Sequence, residues 1–126
     1  MDFSSCIERV RGDERILALY LLGSAQTGTM RPDSDVDLAI LLEPGRRIDS
    51  LERASIAAET SIVLGRDVDL GEASSRNLVY AREAILKGRR LFARDAARAD
   101  LAEANLLAMY ARFNEDRREV LDAYRA

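Results

Sequence analysis

The chain has 126 residues, 48% of them hydrophobic and 33% charged, with a formal net charge of −3. This is the composition of one soluble globular domain: too short for two full ones, too apolar for a disordered chain, and too acidic for broad, sequence-independent binding of nucleic acid. With no His and only Cys6 for thiol chemistry, His-based triads, Cys–His pairs and internal disulfides are excluded, and almost nothing is left to build a zinc centre.

No basic region followed by an apolar run opens the chain, and its longest apolar runs fall far short of a bilayer's thickness, so a cytosolic protein is expected. Residues 3–11 read as a short first helix. Ile16 to Leu22 is a continuous apolar run ending at Gly23, which predicts a strand covered on both faces. Gly23 to Ser34 is rich in turn formers and includes Pro32, so it reads as a loop; Asp35 to Leu42 reads as a second strand, closed by Pro44-Gly45.

Residues 50–64 carry Leu51, Ala54, Ala57, Ala58, Ile62 and Val63 at helical spacing, with Gly65 placed as the cap beyond the helix. Asp67 to Leu70 is a short third strand. Ser74 or Ser75 is expected to cap a helix running to Lys87, with Leu78, Ala81, Ile85 and Leu86 facing inward and Gly88 ending it. Arg90 to Ala93 adds a short edge strand. From Asp95 onward the pattern is helical through Leu101, Leu107 or Ala108, Val120, Leu121 and Tyr124, with Asn114 a candidate interruption. Helices and strands alternate, so the expected class is α/β, with a domain over 1–94 and a helical extension over 95–126.

The chemistry is concentrated in Gly23-Ser24, ten further residues, and then Asp35-Val36-Asp37. Residues i and i+2 of a strand share a face, so Asp35 and Asp37 project together while Val36 and Leu38 enter the core. Neighbouring carboxylates repel unless a cation neutralises them, and Mg²⁺ is the natural one because it takes hard oxygen ligands together with substrate phosphates. A Gly after a buried strand lets the backbone approach a phosphate, and Ser adds a hydroxyl and an N–H. Gly28 would let the loop double back, and Arg31 would reach phosphate or solvent. Taken singly, an Asp-x-Asp is commonly a solvated strand edge and a Gly-Ser pair a plain turn. Their conjunction, with two acids opening an otherwise apolar strand, indicates phosphoryl chemistry.

The segment GSAQTGTMRPDSDVDLAIL resembles the signature of the minimal nucleotidyltransferase family, a small branch of the DNA polymerase β-like superfamily, and GRDVDL and AILKGRRLFARD resemble that family's third strand and closing segment. The likeness spans residue 16 to about 94. It implies the polymerase β palm-like fold, a small mixed sheet with helices packed on it, and transfer of a nucleotide from ATP. It also implies a site of three carboxylates, Asp35, Asp37 and Asp69, holding two Mg²⁺ ions, with Gly23, Ser24 and Gly28 at the nucleotide. Strand parity alone does not choose between Asp67 and Asp69; the family pattern favours Asp69 and leaves Asp67 at the strand's mouth. Gln26 and Thr27 stand where the family usually has small and Arg residues, so Thr27 brings no cationic contact to a phosphate.

Residues 95–126 exceed what the catalytic sheet needs and keep an apolar stripe at Leu106, Met109, Tyr110 and Phe113. This stripe either packs on its own sheet or meets a partner helix. Short members of the family resemble the antitoxins of two-gene modules whose toxin is an all-helical HEPN-domain ribonuclease. The resemblance implies adenylylation of a toxin tyrosine with ATP and Mg²⁺, in a hetero-oligomer without stable nucleic-acid or membrane binding. Two alternatives remain open: modification of a small molecule such as an aminoglycoside, for which a homodimer would supply the missing wall, and masking of the partner by binding without catalysis.

Overall fold

The computed structural model describes residues 1–23 and 35–125. Its elements are α1 (Ser4–Arg11), β1 (Ile16–Leu22), β2 (Val36–Leu42), α2 (Ser50–Leu64), β3 (Val68–Glu72), α3 (Leu78–Lys87), β4 (Arg89–Ala93) and α4 (Ala96–Arg125). The four strands form one mixed sheet in the order β3-β2-β1-β4. β1 pairs antiparallel with β2 and with β4, whereas β2 and β3 run parallel around the α2 crossover. The expected α/β class and small mixed sheet are what the chain adopts.

β1 is unbroken in its hydrophobicity because it is central and covered on both faces. Ile16, Leu19 and Leu21 join one core with Phe3, Val10, Val36, Leu38, Ile40 and Ile56, on the side of α1 and α2. Leu17, Ala18 and Tyr20 join the other with Ala39, Ala81, Ala84, Ala99 and Leu106, under α3 and α4. A register irregularity between Ile16 and Ala18 accounts for two consecutive residues, Leu17 and Ala18, facing the same side. The second core is lined largely by alanines, which lets two helices lie close against the sheet.

α2 diverges from its sequence reading in which stripe it buries, whereas α3 turns Leu78, Ala81 and Ile85 inward as expected. In α2 the buried residues are Ile56 and Thr60, while Leu51 and Ile62 are 83% and 82% exposed and Val63 also faces solvent. Thr60 tolerates burial because its hydroxyl donates to the Ile56 carbonyl at 2.9 Å. α3 starts later than expected: Asn77, not Ser74 or Ser75, accepts the Tyr80 N–H as the cap. Ala81 and Ala84 fill its inner face, and Leu86 is exposed. Gly88 does follow α3, with extended backbone, because a Cβ there would collide with the Ala84 carbonyl oxygen. The third strand begins one residue later than expected and continues to Glu72. α4 runs through Asn114 without a break, with the Asn114 side chain accepting from Arg117 at 2.7 Å. Leu101 is exposed as well.

α4 is fastened only over its first part. Tyr20 donates its hydroxyl to Glu103 at 2.6 Å, and Arg90 bridges Asp100 at 2.8 Å and Glu103 at 3.0 Å. Burial of the Tyr20 phenol and the adjacent Glu103 carboxylate keep its proton firmly in place. Tyr110 still meets Arg82 of α3, whose guanidinium lies 5.2 Å from the ring centre, but Met109, Phe113, Val120, Leu121 and Tyr124 are exposed. Among the described residues, no helix is long and apolar enough to cross a membrane.

Arg94, at the end of β4, closes the opposite corner. Its guanidinium donates to the carbonyls of Ile16 (2.9 Å), Val10 (3.3 Å), Arg11 (3.0 Å) and Asp13 (2.9 Å). Two of these belong to the last turn of α1, where carbonyls lack intrahelical partners. Arg94→Ala is expected to cost about 2–3 kcal/mol, read as a lower urea midpoint at unchanged m-value. Arg94→Lys should recover little of it, because a single ammonium does not reproduce the planar fork.

Candidate active site

The aspartates lie where the parallel strands β2 and β3 begin. Pairing sets Val36 beside Val68, Asp37 beside Asp69 and Leu38 beside Leu70. Directly paired residues share a face, so Asp37 and Asp69 project together while Val36 and Leu38 are buried below, as the alternation along β2 predicts. β3 is held in this register from two sides. The Val36 N–H donates to the Asp67 carbonyl at 2.8 Å, and the Val68 N–H donates to the Ser61 hydroxyl at 2.9 Å, which itself donates to Ala57 at 2.7 Å. Gly65 supplies the left-handed turn (φ +69°) between α2 and β3.

Asp35 and Asp37 are exposed, and so are Asp67 and Asp69. Desolvation against the sheet, then the Asp69 carboxylate, then that of Asp35 push the Asp37 carboxyl above its ordinary value. Gly23 closes the other flank of Asp37. Its φ is +71°, and a Cβ there would lie 3.1 Å from Asp37 Oδ2. The glycine therefore serves the carboxylate as well as any phosphate: a side chain would be strained and would crowd the acid. Ser24, Gln26, Thr27, Gly28 and Arg31 lie outside the described residues.

Among the described residues, no three His, Cys, Asp or Glu side chains converge to enclose a metal ion. The donor set is nevertheless of the right chemistry for Mg²⁺. Its members are carboxylates that repel one another, and such a cation takes only one or two of them, completing its shell with phosphate and water oxygens.

A polar groove of about 400 Å³ opens beside Asp69, walled by Arg53 of α2, by Leu70, Gly71 and Glu72 of β3, by Ser74, Arg76 and Asn77, and by Tyr80 of α3. The hydroxyl end of the Tyr80 ring packs against Gly71, where any Cβ would collide with the phenol, and its hydroxyl reaches the Leu38 carbonyl at 3.5 Å. Burial, then Asp69 and Asp37, raise the Tyr80 phenol to about 12. Nothing in the local sequence marks Arg53, Asn77 and Tyr80 as neighbours of the aspartates. The one available signal is Gly71, whose missing side chain makes room for a residue from elsewhere.

A sheet that presents paired aspartates beside a left-handed glycine turn defines a nucleotidyltransferase palm. The chain belongs to the family described as Polymerase beta, Nucleotidyltransferase, which matches residues 4–97. It is similar to the protein adenylyltransferase MntA of Shewanella oneidensis, with 26% identity over 108 residues, covering 86% of this chain and 76% of MntA. Among solved structures it resembles a chain of a toxin-antitoxin with AMP-PNP (25% identity, 97% and 98% of the two chains, TM-score 0.77). It also shares its fold with a chain of the tri-AMPylated Shewanella oneidensis HEPN toxin in complex with MNT antitoxin (20% identity, 99% and 100%, TM-score 0.72).

The raised Asp37 carboxyl has a consequence for stability. The folded chain holds this proton more tightly than the unfolded chain does. Asp37 therefore favours folding fully below about pH 3.8, and that benefit is lost as pH rises through its higher folded value. Asp37→Asn should melt about 1–3 °C above the wild type at pH 7 in EDTA, a modest gain because the group is exposed. The difference should close as the pH approaches 4.

Proposed function

We propose that the chain is a Mg²⁺-dependent protein adenylyltransferase and antitoxin, which moves AMP from ATP to a tyrosine of a HEPN-domain ribonuclease toxin. The observation that carries this reading is the in-register pair Asp37 and Asp69 beside the close-packed Gly23. The similarity to MntA, to a toxin-antitoxin with AMP-PNP and to a complex with an AMPylated toxin supports the substrate and the partner.

In this reading Asp35, Asp37 and Asp69 hold the metal, and Gly23, Ser24 and Gly28 border the nucleotide. Bound Mg²⁺ supplies charge neutralisation at the phosphates and acidifies the acceptor hydroxyl. The acceptor's phenolic oxygen attacks the α-phosphorus of ATP, the bond from that phosphorus to the α,β-bridging oxygen breaks, and pyrophosphate leaves in line. Asp69, on the outer flank of the pair, faces the incoming hydroxyl and takes its proton. Asp37, between Gly23 and Asp69, is the carboxylate shared by the nucleotide and acceptor sides. The exposed half of α4, with Met109, Phe113, Val120 and Leu121, is the surface for the toxin. The chain works where its toxin does, in the cytoplasm.

Asp35→Ala combined with Asp37→Ala should reduce transfer of label from α-³²P-ATP to the toxin by about 10³-fold or more. The complex should still form on size-exclusion chromatography. Neutralisation of the toxin by the double variant would instead make masking the mechanism, and label on aminoglycosides but not on protein would make the acceptor a small molecule. ATP with Mg²⁺ at about 100 times its dissociation constant should stabilise the wild type by roughly 2.7 kcal/mol in thermal melts.

A further inference from the structure

The groove beside Asp69 has a charge arrangement that the nucleotide does not explain. Strand order places Gly23, at the end of β1, on one side of Asp37, and places β3 with its groove on the other. A triphosphate gripped at the Gly23 side thus leaves the β3 side for the second substrate. Two arginines line the groove. Arg76 is already paired with Glu72 at 2.7 Å. Arg53 is half-buried, and among the described residues its guanidinium donates no hydrogen bond and joins no ion pair. Its electrostatic partner is the Tyr80 phenol, and with no carboxylate of the described residues at ion-pair distance it is open to an anionic group on a bound ligand.

The remaining walls fit a peptide. Asn77 spends its side-chain oxygen on capping α3 through the Tyr80 N–H, which leaves its amide NH₂ to donate into the groove. Gly71, packed against the Tyr80 phenol, puts no side chain into the groove next to Asp69. At about 400 Å³ the groove takes a side chain with part of its backbone, not a folded surface.

We propose that this groove is the acceptor subsite, and that Arg53 selects a hydroxyl-bearing residue flanked by an acidic side chain. The proposal rests on the adenylyltransferase reading and names the acceptor's chemistry. Arg53 is a specificity residue here; it takes no part in the transfer itself.

The test uses the full-length chain and two synthetic peptides, Glu-Glu-Tyr-Glu-Glu and Lys-Lys-Tyr-Lys-Lys, followed by amide chemical shifts. The acidic peptide should shift the amides of Gly71, Asn77 and Tyr80, and the basic one should not. Arg53→Gln should weaken the acidic peptide by about tenfold, as expected for one charged contact, with Arg53→Lys restoring part of it. AMP-PNP affinity should be unchanged in both variants. Equal binding of the two peptides, binding insensitive to Arg53, or an equal loss of AMP-PNP affinity in Arg53→Gln would each overturn the proposal. Peptide binding does not depend on catalysis, so a failure of the wild type to label the toxin with AMP would count against the adenylyltransferase reading alone. With active enzyme, Arg53→Gln should raise KM for the toxin and leave kcat in place.

Discussion

Everything at the active end of this molecule depends on setting two like charges side by side on neighbouring parallel strands. Asp37 and Asp69 are register partners, and their repulsion opposes the alignment that the proposed site requires. Elsewhere on a sheet such a pair would be relieved by a small slip. Here a slip of β3 by one residue would turn Leu70 out of the core and bring Asp69 in. The buried residues beneath the site hold the charges in place against their own field.

That constraint explains why so much ordinary structure is spent near β3, a short strand at the edge of the sheet. The Ser61 hydroxyl, the left-handed Gly65 and the Asp67 carbonyl each fix its start. Tyr80 over Gly71 then braces it two residues past Asp69. On the other flank, Gly23 lets the end of β1 approach Asp37 without a side chain between them. Polar chemistry at the mouth and apolar packing behind it form one arrangement, in which the second limits how far the first can relax.

The strands are the readable part of the sequence. β1, and β2 from Leu38 onward, are continuous apolar runs because both faces of the sheet are covered, and the alternation of Asp35, Val36, Asp37 and Leu38 is enough by itself to set both acids on one face. The helices are less readable for a physical reason. α2 carries two stripes at helical spacing, one through Leu51, Ala54, Ala58 and Ile62, the other through Ile56, Ala57, Thr60 and Leu64. Hydrophobicity favours the first, but the chain buries the second, because Thr60 satisfies its own hydroxyl and Ile56 and Leu64 meet the sheet. α3 likewise buries its alanines and exposes Leu86, since close approach to the sheet outweighs side-chain size. Parity does not separate Asp67 from Asp69; the structure pairs Asp69 with Asp37, a pairing no local pattern encodes. Arg53 comes from α2, and Asn77 and Tyr80 from the start of α3, and only the fold brings these two segments together beside the aspartates.

The uneven attachment of α4 makes it a cantilever. Its root is clamped to the sheet by Tyr20, Arg90 and Glu103, and the free arm from Ala111 to Arg125 extends about 22 Å at helical rise. Because the clamp engages Tyr20, three residues before Gly23 on the same central strand, the arm and the mouth of the site share one rigid support. Whatever binds the arm is therefore held at a set distance and angle from the aspartates. The helix acts as a ruler, and its length determines which part of a bound protein can come within reach of Asp69.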